Sequence, residues 1–264
     1  MKVYILVEGK ETEPLFYPAL FNYFLPNYTQ CRELDQLSDD SYYIISGLGM
    51  PRTFQRIENC LKDICDYNQN HASPIDLFVV VFDSDRYPSM TSAKQAITNR
   101  FRSSNNSSLI QQSGIHEFYI IQNPCIETWF LANKGFFPCN ITTSELKKVI
   151  AEFDILSNDP ELLCLSGMSK ADSASYYLDC IFKEKGYIIG YNKKRSMKVI
   201  ATNEYISEIV KGFESAFVGA TTGKQITFKI NIPKGTYGDD TIDGKEVTFK
   251  ATVKYICGDR TDME

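Results

Sequence analysis

Three short stretches carry side chains whose types and spacing could do chemistry. They are Glu8-Gly9 after the apolar run 3–7, Asp83-Ser84-Asp85 after the apolar run 75–82, and Glu127 shortly after the run 116–121. Each carboxylate follows a segment that reads as a strand, and open α/β sheets place their chemistry at the carboxyl edge. If the first two strands lie side by side in parallel, Glu8, Asp83 and Asp85 converge on one point, and Glu127 is a further candidate beside them. Carboxylates gathered in this way repel one another and lose solvation, which is costly unless a cation joins them. Hard oxygen donors in an open site suit Mg2+ or Mn2+, which keep several waters and bind through substrate phosphates. A divalent ion held there can polarise a phosphoryl oxygen or orient an attacking water. The plainer alternative makes Asp83 and Asp85 turn and cap residues.

The elements that must position these groups follow from periodicity. After the first strand, Glu11-Thr12-Glu13-Pro14 opens a helix with Leu15, Phe16 and Leu20 on one face. Thr12 is placed to cap it, and Pro14 fits a first turn where a missing N–H does no harm. Residues 42–45 read as a second strand, ending in Ser46-Gly47-Leu48-Gly49. Pro51 then opens a helix with Phe54, Ile57, Leu61 and Ile64 at spacings of three and four. The run 75–82, apolar apart from Asp76, has the pattern of a strand buried on both faces. Residues 92–101 read as a helix, 103–108 as an exposed Ser/Asn-rich loop, 116–121 as a fourth strand, and 123–132 as the start of another helix. Alternation of strand and helix predicts an α/β fold, a mostly parallel sheet flanked by helices. Residues 142–185 are helical in period. Beyond 207, the runs 225–232 and 246–256 alternate with period two, the mark of a small antiparallel β module. A boundary is expected between Lys185 and Ser207, giving an α/β domain at 1–185 with a helical extension and a β module at 186–264.

Val7-Glu8-Gly9-Lys10-x-Thr12-Glu13-Pro14 followed by Phe82-Asp83-x-Asp85 resembles a TOPRIM domain. The variant it most resembles is that of the RloB-like and OLD-like nucleases of bacterial phage defence. Asn123-Pro124-Cys125-Ile126-Glu127-Thr128-Trp129-Phe130-Leu131 is similar to the N-P-C-x-E-x-W-x-L element of RloB-like proteins, and Gly47 and Gly49 match glycines that often follow the second strand. The resemblance spans roughly residues 1 to 135. It implies metal-dependent phosphodiester hydrolysis of DNA or RNA, with Glu8 as acid or base. Asp83 and Asp85 would hold Mg2+, and Glu127 would be an added ligand. OLD-type enzymes also use a lysine to stabilise transition-state charge; Lys134 and Lys170 are candidate equivalents, or ordinary surface lysines. OLD proteins carry an ATPase domain. This chain has no G-x-x-x-x-G-K-[ST], so any ATPase subunit is expected to be a separate chain.

Composition bounds the remaining readings. At 264 residues, with 43% hydrophobic and 13% aromatic content, the chain can bury a sizeable core. A net charge of −5 gives no global basic field, yet residues 183–198 concentrate five Lys and one Arg with Tyr187 and Tyr191. That run suits a phosphate-tracking surface or a solvated charged face. Eight scattered cysteines without a C-x-x-C pair point to reduced thiols and a cytoplasmic protein. No stretch reaches the roughly 18 apolar residues of a membrane span, so no membrane partner is expected. A homo-oligomer is compatible with the sequence. His71 and His116 lack partners at catalytic or metal spacing and read as structural.

The tail carries a second resemblance. Glu208-Ile209-Val210-x-Gly212-Phe213-Glu214, Phe228-x-Ile230-x-Ile232-Pro233, Tyr237-Gly238 and Gly244-Lys245-Glu246-Val247-Thr248-Phe249 are similar to the second half of a trigger-factor or FKBP-type prolyl isomerase. Ile209, Phe213, Tyr237 and Phe249 would match apolar pocket positions of that family. Its first strands have no counterpart before Asn203. Residues 186–202 therefore supply a shortened substitute, or the tail is a non-catalytic, protein-binding β module beside a non-catalytic α/β domain, or the likeness is accidental.

Overall fold

The structure, a computed structural model, describes residues 1–214 and the strands at 225–231 and 246–252. Five strands, β1 (Lys2–Val7), β2 (Thr29–Cys31), β3 (Ser41–Ser46), β4 (Leu77–Asp83) and β5 (His116–Gln122), form one sheet. Every pairing in it is parallel, in the order β2-β3-β1-β4-β5. The chain is thus α/β with an all-parallel sheet flanked by helices. Strands β1 and β4 are neighbours at the centre, with Val7 opposite Val81. Between Lys2 at the start of β1 and Asp83 at the end of β4 both are apolar, because helices cover both faces. The short edge strand β2 is not among the elements read from the sequence.

Helix α1 (Glu13–Phe24) follows β1, and α2 (Arg52–Asn70) follows β3. Helices α3 (Met90–Phe101) and α4 (Ser104–Ser113) connect β4 to β5, and α5 (Ile126–Leu131) follows β5. Side chains alternate along a strand, so each strand serves two cores. Tyr4, Leu6, Phe78, Val80 and Phe82 join Ile57, Leu61, Ile64 and Ile97 on one side. The opposite side includes Phe16 of α1 and Phe130 of α5, whose rings meet at 4.9 Å. Asp83 and Gln122, paired in register, belong by this alternation to the α1 side.

Two local expectations change. Residues 104–113 are helical rather than an exposed loop. Asn106 is buried and its Nδ2 donates to the Arg100 carbonyl at 2.8 Å. Leu109 and Ile110 pack on the core, and Gly114 (φ 67°) closes the helix in the left-handed region. Thr12 sits at the start of α1 without capping it. Its hydroxyl instead donates to the Lys193 carbonyl at 3.4 Å.

The helices α6 (Ser144–Glu152), α7 (Lys170–Glu184), α8 (Met197–Ile200) and α9 (Asn203–Glu214) complete the chain up to residue 214. Two compact units result, Met1–Ile206 and Ser207–Glu264. The division falls at the far end of the 185–207 interval, so residues 186–206 belong with the sheet rather than with the tail. In the second unit, β6 (Gln225–Asn231) and β7 (Glu246–Thr252) pair antiparallel, as their period-two pattern predicts. Part of the prolyl-isomerase resemblance, Ile232-Pro233, Tyr237-Gly238 and Gly244-Lys245, lies outside the described residues. No helix among the described residues is long and apolar enough to cross a membrane.

Candidate functional site

The carboxyl edge of β1 and β4 gathers acidic groups. Glu8 leaves the end of β1 and lies against the end of β4. Its Oε2 accepts the Asp83 N–H at 3.0 Å, and its Oε1 accepts the Met50 N–H at 3.2 Å. Asp83 ends β4, and its Oδ1 is buried without a hydrogen-bond partner among the described residues. Next to it in register, Gln122 is fully buried. Its Nε2 donates to the Tyr17 hydroxyl at 3.2 Å, while its Oε1 has no partner among the described residues. Two neighbouring strands thus present buried acceptors with nothing to accept from, a costly arrangement.

Electrostatics point the same way. Burial, then the charges of Glu13, Glu8, Glu127 and Asp85, push the Asp83 carboxyl well above the ordinary range. Burial also raises Glu8, against its two backbone donors; Asp85 adds to that rise and Arg86 opposes it. Asp85 is raised by burial, with Arg86 and Lys193 pulling it down. Strand β4 ends at Asp83, so Asp85 sits on an exposed turn and not on a continued strand. It reaches the cluster by charge rather than by strand alternation.

Glu127, in the first turn of α5, is almost wholly buried. Its Oε1 accepts the Tyr191 hydroxyl at 3.1 Å and lies 3.5 Å from Lys193 Nζ. The Glu127 carboxylate in turn holds the Lys193 ammonium above the usual lysine value. Beside Arg86, the cluster therefore draws a cation, Lys193, from the segment after α7. Lys134 and Lys170 do not supply it; their ammonium groups reach the carbonyls of Leu156 at 2.7 Å and Glu161 at 3.5 Å.

Four members were not singled out as site residues by sequence reasoning. Glu13 is buried, with its Oε1 accepting the Gly9 N–H at 2.9 Å and its carboxyl raised chiefly by burial. Gly9 permits this approach, because a Cβ there would fall 2.0 Å from Glu13 Oε2. Tyr191 and Lys193 come from the basic run, whose composition was legible although its target was not. Gln122 looks like an ordinary strand residue in the sequence.

Among the described residues no three His, Cys, Asp or Glu side chains are arranged as a ready metal cage. The donor chemistry nonetheless fits a hard divalent ion. Mg2+ needs only one or two carboxylates beside water and phosphate, and Asp83 Oδ1 is a buried carboxylate oxygen lacking any partner. Compared with family models, curated proteins and solved structures, the chain matches none of them.

Proposed function

We propose that this edge is the active site of a divalent-metal-dependent nuclease, of the TOPRIM type that the sequence resembles, acting on phosphodiesters of DNA or RNA. The observation that carries the reading is the pairing of Glu8 with Asp83 at the ends of adjacent parallel strands, with Asp83 Oδ1 left unpartnered. Asp83 and Asp85 would hold Mg2+ or Mn2+, with Glu8 and Glu127 beside them. When bound, such an ion supplies charge stabilisation to a phosphoryl group and a more acidic water. Glu8, its carboxyl raised by burial and fixed by two backbone N–H donors, is suited to hold or pass a proton. Lys193 brings a positive charge against Glu127, where phosphate oxygens could also use it. A role as a phage-defence effector follows from the resemblance alone, as does a separate ATPase partner.

The test is incubation with plasmid, single-stranded oligonucleotides and tRNA, in Mg2+ or Mn2+ and in EDTA. Cleavage that needs the metal and disappears in Glu8→Gln and Asp83→Asn supports the reading. Cleavage that survives either substitution rules it out.

A further inference from the structure

Immediately before the Tyr191–Lys193 strap, residues 186–190 form a loop of sequence Gly-Tyr-Ile-Ile-Gly that exposes apolar side chains. Ile188 is 97% exposed and Ile189 54%. Such exposure is normally avoided, and here the loop is held at both ends. At its start the Gly186 and Tyr187 N–H groups donate to the Lys183 and Phe182 carbonyls at 2.9 and 3.0 Å, with Gly186 at φ 85°. That is the Schellman closure of α7, completed by the Phe182 and Tyr187 rings at 5.0 Å. At its end Gly190 adopts φ 68°, and a Cβ there would fall 1.9 Å from Asp179 Oδ1, which accepts the Tyr191 N–H at 3.0 Å.

Beneath the loop lies a cavity of about 340 Å3, lined by Phe182, Tyr187, Ile188, Ile189, Val199 and the polar pair Asn192 and Arg195. This size suits a small-molecule ring. Asn192 and Arg195 bracket Lys193, whose ammonium reaches Glu127. Lys194, Arg195 and Lys198 are exposed and form no ion pair among the described residues. An apolar slot with one guanidinium and one amide, rimmed by unpaired cations, matches a nucleobase on a polyanionic backbone.

We infer that the cavity under the 186–190 loop receives a nucleobase of the strand whose phosphate lies at the carboxylate cluster. The inference deepens the nuclease reading and rests on it for the choice of a nucleic-acid ligand. Tyr187, 40% exposed and backed by the buried Phe182, gives the base a face, Ile188 and Ile189 wedge its neighbour aside, and Arg195 serves its edge or the next phosphate.

The test measures binding in EDTA, so that cutting plays no part. A labelled mixed-sequence single strand, as DNA and as RNA, is compared with the same strand carrying abasic positions, which keeps the charge and removes the base. Wild type should bind the abasic strand about tenfold more weakly, the size of one lost base contact. Ile188→Ser at the surface and Val199→Trp in the cavity should bind intact and abasic strands alike. Equal binding of the two strands by wild type, or an unchanged preference in Ile188→Ser, overturns the inference. So does Ile188-dependent binding to phosphatidylserine vesicles without base preference, which would assign the loop to a membrane surface. Base preference without any cleavage in Mn2+ sinks the nuclease reading and leaves the cavity standing; cleavage without base preference does the reverse.

Discussion

Strand β1 carries a buried charge at each end, and the two are treated in opposite ways. At its start, Lys2 is 6% exposed, and its ammonium donates to the Tyr67 hydroxyl at 3.0 Å and the Ser73 carbonyl at 2.9 Å. It also lies 5.2 Å from the centre of the Tyr67 ring, and its own N–H donates to Asp76 at 2.7 Å. Just beyond the other end, Glu8 lies beside Asp83, a second carboxyl of the same sign with an unpartnered oxygen. The first end is a satisfied polar lock that fixes the strand to its surroundings. The second is left short of positive charge, which marks it as the candidate site.

Substitutions should therefore separate the two ends. The largest effect is expected from Asp83→Asn, which should cut metal-dependent cleavage by about 100-fold or more. Its thermal midpoint should hold or rise, since a repelling charge is removed. Lys2→Met should do the opposite, costing ~1–3 kcal/mol in denaturant unfolding as the Ser73 carbonyl loses its donor, with cleavage intact. Gly9→Ala forces the Glu13 carboxylate away from the Gly9 N–H. A loss of ~1–2 kcal/mol together with reduced activity is expected, read by melting and by cleavage assay.

The pH response sharpens the same contrast. Glu8, Glu13, Asp83 and Asp85 all have folded values raised above the ordinary range. The fold therefore holds protons that the unfolded chain releases. Metal-free stability from this end is fully present below the ordinary carboxylate value and is lost as pH rises through the raised ones. Melts in EDTA from about pH 4 to about pH 8 should show this decline. Asp83→Asn should flatten it, and Mg2+ should reverse it in wild type. The smallest effect is expected from Lys193→Met, which removes one cation from a cluster still open to solvent ions. A several-fold loss of cleavage, with little change in fold, is expected.

The acidic end was legible in the sequence where chemistry and period coincide. Continuous apolar runs ending in Glu8 and Asp83 indicate buried strands, and neighbouring parallel strands bring their carboxyl ends together. Glu127 was legible as the acidic residue opening the next helix. Lys193 was not, since no periodicity links it to a carboxylate 66 positions earlier in the chain. Only the folding-back of the segment after α7 creates that contact. Glu13 was hidden for a related reason. Its burial depends on Gly9 lacking a Cβ, a close approach that no helical pattern reveals. The Ser/Asn-rich stretch at 104–108 misleads because its composition suits a loop. Its helix forms through tertiary contacts at Asn106, Leu109 and Ile110.

The most direct test is titration of the metal-free protein with Mn2+, followed by the electron paramagnetic resonance of the free ion, for wild type, Asp83→Asn and Lys2→Met. Saturable binding is expected in wild type and Lys2→Met, weakened at least about tenfold in Asp83→Asn. Equal binding by Asp83→Asn and wild type, or none by wild type even with single-stranded oligonucleotide present, would contradict a cation held by carboxylates from separate strands.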